Sequence, residues 1–102
     1  MLELRPNCEC CDKDLPPNAA DARICSYECT FFADCVETVL LNVCPNCRGG
    51  FAPRPFRPVT ERCPGVCLGK HPASTKRVHM RWTRDEVTEF ARGVGDISPE
   101  NR

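Results

Sequence analysis

ICSYECTFFADCVETVLLNVCPNC, residues 24–47, is the stretch whose reading decides the fold. It carries Cys25 and Cys29, then Cys35, then Cys44 and Cys47 with a proline after the first of that pair, and Arg48, Gly49 and Gly50 follow directly. A loop of the form Cys-Pro-Asn-Cys leaves backbone N–H groups free to hydrogen-bond the sulfurs and keep them as thiolates. A structural zinc ion takes four such donors in a tetrahedron, and the nearest complete set is Cys25, Cys29, Cys44 and Cys47. Between the pairs, Ala33, Val36, Val39, Leu40 and Val43 recur at helical spacing, which predicts one short helix packed on the metal loops.

Working outward, the remaining thiols are Cys8, Cys10, Cys11, Cys63 and Cys67, so the ten cysteines fall in tight groups, unlike the scattered spacing of a disulfide scaffold. The chain has 102 residues and is 41% apolar with those cysteines counted, which leaves few large hydrophobes for a core. A chain that small needs a staple, either disulfides or metal. The amino terminus, MLELRPNCE, has neither a basic nor an apolar signal region, and no apolar run approaches the roughly 18 residues of a membrane span. The expectation is a soluble cytoplasmic protein, in a reducing compartment where clustered thiols bind zinc.

Charge divides the chain. Residues 1–50 hold four Lys/Arg against eight Asp/Glu, whereas residues 51–102 hold ten against six. The boundary lies near FAPRPFRP, residues 51–58, where three prolines favour extended backbone. The expected organisation is a zinc domain over 1–52, a proline-containing linker or wrapping edge with a basic segment over 53–82, a helix over 83–95 and a frayed tail over 96–102.

The helix has its own local signature. Thr83 and Glu86 form a capping box, Trp82 can staple onto Val87, and Asp85 and Glu86 suit the positive end of the dipole. Val87, Phe90, Ala91 and Val94 make one narrow apolar face, expected to dock on the chain's own domain, and Gly93 or Gly95 ends the helix.

Residues 24–51 resemble the second half of a RING finger. By that resemblance Cys8 and Cys11 are the first ligand pair, Cys25 and Cys29 the second, Cys35 the sixth ligand, and Cys44 and Cys47 the last pair; Phe32 stands where the fifth ligand belongs. RING domains are cross-braced, which implies one site of Cys25, Cys29, Cys44 and Cys47 and another of Cys8, Cys11 and Cys35 with a donor missing. Cys10 is the nearest candidate for it, with Asp34, Asp12 and solvent as alternatives, and an empty site as another. The resemblance also raises ubiquitin-ligase-like activity, for which Arg48, after the last ligand, is the matching cation. Cys10 in the partner-groove position and the lack of a Trp after Cys35 speak against it.

A closer resemblance covers residues 1 to about 80. MLELRPNCECCDKDLPP, ARICSYECTF and KHPASTKRV resemble a family of short bacterial proteins known only as a domain of unknown function. It implies a bacterial, cytoplasmic, zinc-binding protein and brings no activity; TERCPGVCLG resembles an insertion relative to it.

The fold expected is therefore a small metal-stabilised α+β domain of RING-like, treble-clef type, with one short helix, short hairpins and a carboxyl-terminal amphipathic helix. Its expected function is a structural Zn2+ module that mediates protein–protein interaction and is not an enzyme, since a four-thiolate site offers no open position. Leu2, Leu4, Phe31, Phe32 and Phe51 either fill the core or mark a patch. Other readings are weaker. Cys10 with Cys11, or Cys63 with Cys67, can be read as redox pairs. Cys63, Cys67, His71 and His79 have spacing that matches no finger pattern well. The basic run with Lys70, Lys76, Arg77, Arg81 and Arg84 can be read as nucleic-acid binding, but a solvated face pairing with the acidic half explains it without a ligand.

Overall fold

A computed structural model describes residues 1–102. Three short strands, β1 (Ala22–Ile24), β2 (Thr30–Phe32) and β3 (Ala52–Pro53), form one antiparallel sheet in the order β2-β1-β3. Phe32 pairs with Ala22 and Ala52 with Ile24, so β1 is central although all three are only two or three residues long. The β1–β2 connection is a hairpin whose tip carries Cys25 and Cys29; the Cys25 N–H donates to the Cys29 carbonyl at 3.1 Å, and Glu28 turns the chain with a φ of 69°.

The helix expected after β2 is present, but with an irregular pitch. One α-helical turn, α1 (Ala33–Cys35), runs into a π-helical turn over Val36–Leu40. Leu41 and Asn42 then adopt left-handed φ values of 51° and 60°, which stops the helix and turns Val43 and Cys44 back inward. The apolar stripe lands where its spacing requires, with Val36, Leu40 and Val43 buried. The second helix, α2 (Arg84–Val94), starts with the full Thr83–Glu86 capping box and buries Val87 and Ala91 against the Val36–Leu40 turn. Its carboxyl-terminal cap is Gly95, in right-handed conformation.

The core is small and sulfur-rich. Five of its 11 buried residues are cysteines, grouped with Leu15, Ala22, Phe31, Val36, Leu40 and Val87, so thiols occupy volume that aliphatic side chains fill elsewhere. Phe31 is fully buried and meets Phe51 edge to face at 5.3 Å. Of the apolar residues singled out in the sequence, Leu4 and Phe31 are buried and Phe32 and Phe51 pack half-buried against the core.

Residues 53–82 wrap the domain. Arg54, only 4% exposed, donates to the carbonyls of Arg5, Leu15 and Pro16, tying β3 to the amino-terminal loop. Val78 and Asn7 exchange hydrogen bonds at 2.8 and 3.1 Å, and Met80 N–H donates to Glu9. The tail expected to fray is instead docked: Pro99–Asn101 form a 3-10 turn beside Gly50, and the Arg102 guanidinium donates to the Asn42 and Arg48 carbonyls. Sequence local to 96–102 carries no sign of this, because the carbonyls it caps belong to a distant loop. No helix is long and apolar enough to cross a membrane.

Candidate metal centre

Two loops with the same backbone design present most of the thiols. In the first, Cys8 N–H donates to Lys13 O at 2.8 Å and Asp12 N–H returns to Cys8 O at 2.9 Å. In the second, Cys44 N–H donates to Gly49 O and Arg48 N–H to Cys44 O, both at 2.8 Å. The residue that closes each loop is left-handed, Asp12 at 65° and Arg48 at 68°, a conformation that costs a residue with a Cβ about 1 kcal/mol. In return the intervening N–H groups of the first loop point at sulfur: those of Cys10 and Cys11 reach Cys8 Sγ at 3.4 Å. Tyr27 N–H donates to Cys25 Sγ at 3.3 Å and Gly49 N–H to Cys47 Sγ at 3.4 Å. Donors aimed at sulfur favour the thiolate, the form that binds a cation.

The fold brings these sulfurs together in interleaved order. Cys8, Cys11 and Cys35 have their Sγ atoms within 4.8 Å of one another, as do Cys25, Cys44 and Cys47, and each trio could hold a metal ion. The amino-terminal loop thus meets the helix thiol, while the hairpin tip meets the Cys44–Cys47 loop. Two further thiols belong to the same loops: Cys10 lies between Cys8 and Cys11, and Cys29 faces Cys25 across the hairpin tip, where the Cys25 N–H meets the Cys29 carbonyl at 3.1 Å. Phe32, in the place of a fifth ligand, lies partly buried beneath the Lys13 ammonium, 3.8 Å from the ring centre.

Crowded thiols perturb one another strongly. The Cys29 and then the Cys44 thiol hold Cys25 far below the usual thiol range, at about 3, while the same contacts with Cys25 and Cys29, helped by burial, push Cys44 far up. In the other cluster burial, then the neighbouring charges of Cys8 and Cys10, raises Cys35, and burial raises Cys10. Burial opposes ionisation of Cys11 too, but the Lys13 N–H and the thiols of Cys8 and Cys35 outweigh it and lower Cys11.

The remaining candidates lie elsewhere. Cys63 is exposed and Cys67 buried; His71 N–H bonds the Cys67 carbonyl, whereas His79 Nε2 sits 2.9 Å from Asp12 Oδ1. Arg77 spans Asp12 and Asp14 at 2.9 and 2.7 Å, so the basic segment does pair with the acidic half. Arg48 lies over the Phe90 ring at 3.5 Å and donates to Pro45 O. Two side chains at the site carried no such role in the sequence: Asn46, which reaches Cys29, and Trp82, read there only as a helix staple, which reaches Asn46. Their link spans 36 positions and leaves no local signal.

A small α+β domain with two interleaved thiol clusters is a cysteine-rich metal-binding candidate held together at the positions where a core would otherwise be. Residues 1–57 match the family described as protein of unknown function (DUF1272), and the chain belongs to that family. It is also similar to an uncharacterised protein of Rhizobium meliloti (strain 1021), 58% identical over 78 residues that cover 76% of this chain and 86% of the relative. No solved structure matches. The six cysteines of the two trios, with Cys10 and Cys29, lie within the family-matched residues, and Trp82 lies outside them.

Proposed function

We propose that this chain is a zinc-stabilised interaction module of RING-like, cross-braced type that works in the bacterial cytoplasm and is not an enzyme. Two Zn2+ ions are held, one by Cys25, Cys29, Cys44 and Cys47 and the other by Cys8, Cys10, Cys11 and Cys35. The observation that carries this reading is the convergence of two thiol trios, each with backbone N–H groups aimed at its sulfurs and a further thiol beside it. Cys10 stands in for the absent fifth ligand, because the Cys-x-Cys-Cys loop offers a third thiol to Cys35. Both sites are then closed four-thiolate sites, which supply folding free energy of about 10–16 kcal/mol each and no open coordination position.

The module's use is to display a rigid surface to a protein partner. Met1, Phe56 and Val66 are exposed around a cleft of roughly 300 Å³ that Leu2, Leu4 and Pro58 also line, and this is the apolar face available for that purpose. Arg48 is engaged on Phe90 and Arg77 by two aspartates, so the cation matching the ligase-like reading and one of the five behind the nucleic-acid reading are already occupied within the chain. The test is chelation followed by circular dichroism. Loss of secondary structure on stripping the metal, restored by Zn2+ alone, supports the proposal; a fold indifferent to a strong chelator refutes it.

A further inference from the structure

Beyond the family-matched residues, one side chain returns to the second thiol cluster. The Trp82 indole N–H donates to Asn46 Oδ1 at 2.9 Å, and Asn46 Nδ2 donates to Cys29 Sγ at 3.3 Å. Trp82 is held in turn by Phe90 of α2, edge to face with ring centres 5.2 Å apart, and the same Phe90 ring carries the Arg48 guanidinium. Asn46 and Arg48 both belong to the Cys44–Gly49 loop, so Phe90 of α2 and Trp82, just before the Thr83 cap, grip that loop at two points.

We infer that Trp82 is a positioning residue for the metal bound by Cys25, Cys29, Cys44 and Cys47, acting through Asn46 on the Cys29 sulfur. This rests on the proposal above that the cluster holds a metal. An indole N–H can only donate, whereas a carboxamide has one accepting and one donating end. Trp82 therefore fixes the oxygen of Asn46 towards itself and turns the NH2 group towards sulfur. That NH2 group cannot accept, so Cys29 is presented with its lone pairs engaged as an acceptor, the polarity a metal-bound thiolate requires.

Cys29 is the thiol of the four for which such help matters most. Cys25, Cys44 and Cys47 already converge within 4.8 Å, whereas Cys29, across the hairpin tip from Cys25, lies outside that trio. Whether it closes the tetrahedron depends on where its sulfur is held, and Asn46 is the side chain that holds it. Groups that orient ligands typically change metal affinity by about 10–100-fold, and because Asn46 is exposed to competing water the lower end applies.

The test uses the full chain loaded with zinc, and Trp82→Phe, which keeps an aromatic ring against Phe90 but removes the N–H. Chelator competition, with alkylation and mass mapping of the cysteines released, reads each site separately. The expected result is that one ion, the one protecting Cys25, Cys29, Cys44 and Cys47, leaves about tenfold more readily, with the other ion and the helix content unchanged. Asn46→Ala should match it, and the double variant should be no worse than either single, because one relay is broken in all three. Wild-type release in Trp82→Phe overturns the inference, as does equal loosening of both ions, which would mean that Trp82 serves only general docking. If the unmodified chain binds no metal at all, the zinc reading itself has failed, and that is seen before any variant is made.

Discussion

The two thiol-presenting loops of this protein have one backbone and two surroundings. Cys8 to Lys13 and Cys44 to Gly49 share the same pair of loop-closing hydrogen bonds and the same left-handed residue before the end. Cys8 and Cys44, the first thiol of each loop, are both fully buried, but the Cys44 loop is roofed by Trp82, Phe90 and the docked tail, which leave Cys47 half-buried. The Cys8 loop leaves Cys11 exposed, and on that side the strap through Arg77 and His79 is held to it by Asp12. Backbone geometry alone thus creates a thiol-presenting loop, and packing decides how firmly its sulfurs are held.

That contrast can be broken from either side. The largest effect is expected at the buried loop: Cys47→Ser removes a ligand whose site supplies about 10–16 kcal/mol, more than a domain of this size has to spare, and should unfold the chain. Cys63→Ser, at an exposed thiol outside both clusters, should leave the circular dichroism spectrum intact. Equal loss in both variants would erase the partition.

At the exposed loop the expected effects are smaller. Cys10→Ser should lower bound zinc from two ions towards one while α2 and the sheet persist, and Phe32→Cys in the unmodified background should add none, because Cys10 already serves. Metal analysis of the two variants decides this. A gain with Phe32→Cys would mean that Cys10 is not a ligand.

Arg54 links the Cys8 loop to the sheet, and Arg54→Met would leave the carbonyls of Arg5, Leu15 and Pro16 without their donor in a buried site. The expected cost is about 2–4 kcal/mol, read from denaturant midpoints, with the Cys8 cluster loosened before the Cys44 cluster.

The smallest effect belongs to the strap. Arg77, then His79, holds the Asp12 carboxyl below the usual carboxylate range. An acid lowered on folding stabilises the native state above its unfolded pKa of about 3.9, and that contribution is lost as pH falls through the lower folded value. Asp12→Asn should therefore lower the melting temperature slightly at neutral pH, less at high salt, and not at all once Asp12 is protonated.

How much of this could be read in the sequence follows from what is local. The capping box of α2 lies within four residues and was legible in full. The cysteine grouping was legible because ligand spacing is set by loop geometry, and the interleaving of the clusters came from the RING resemblance. The π-helical turn at Val36–Leu40 was not, since the stripe fits either pitch and tertiary packing chooses. Arg54 looked like one more charge in a proline-rich linker; its burial depends on carbonyls 38 to 49 positions away. The Trp82–Asn46–Cys29 relay and the docked Arg102 were hidden for the same reason: each joins residues that only the finished fold makes neighbours.

The central claim is that bound metal stands in for a hydrocarbon core, and intact-mass measurement under native conditions, on protein prepared without chelator, tests it most directly. The account predicts two zinc ions per chain, with the eight clustered cysteines shielded from alkylation and Cys63 reactive. A metal-free chain that still unfolds cooperatively would contradict it.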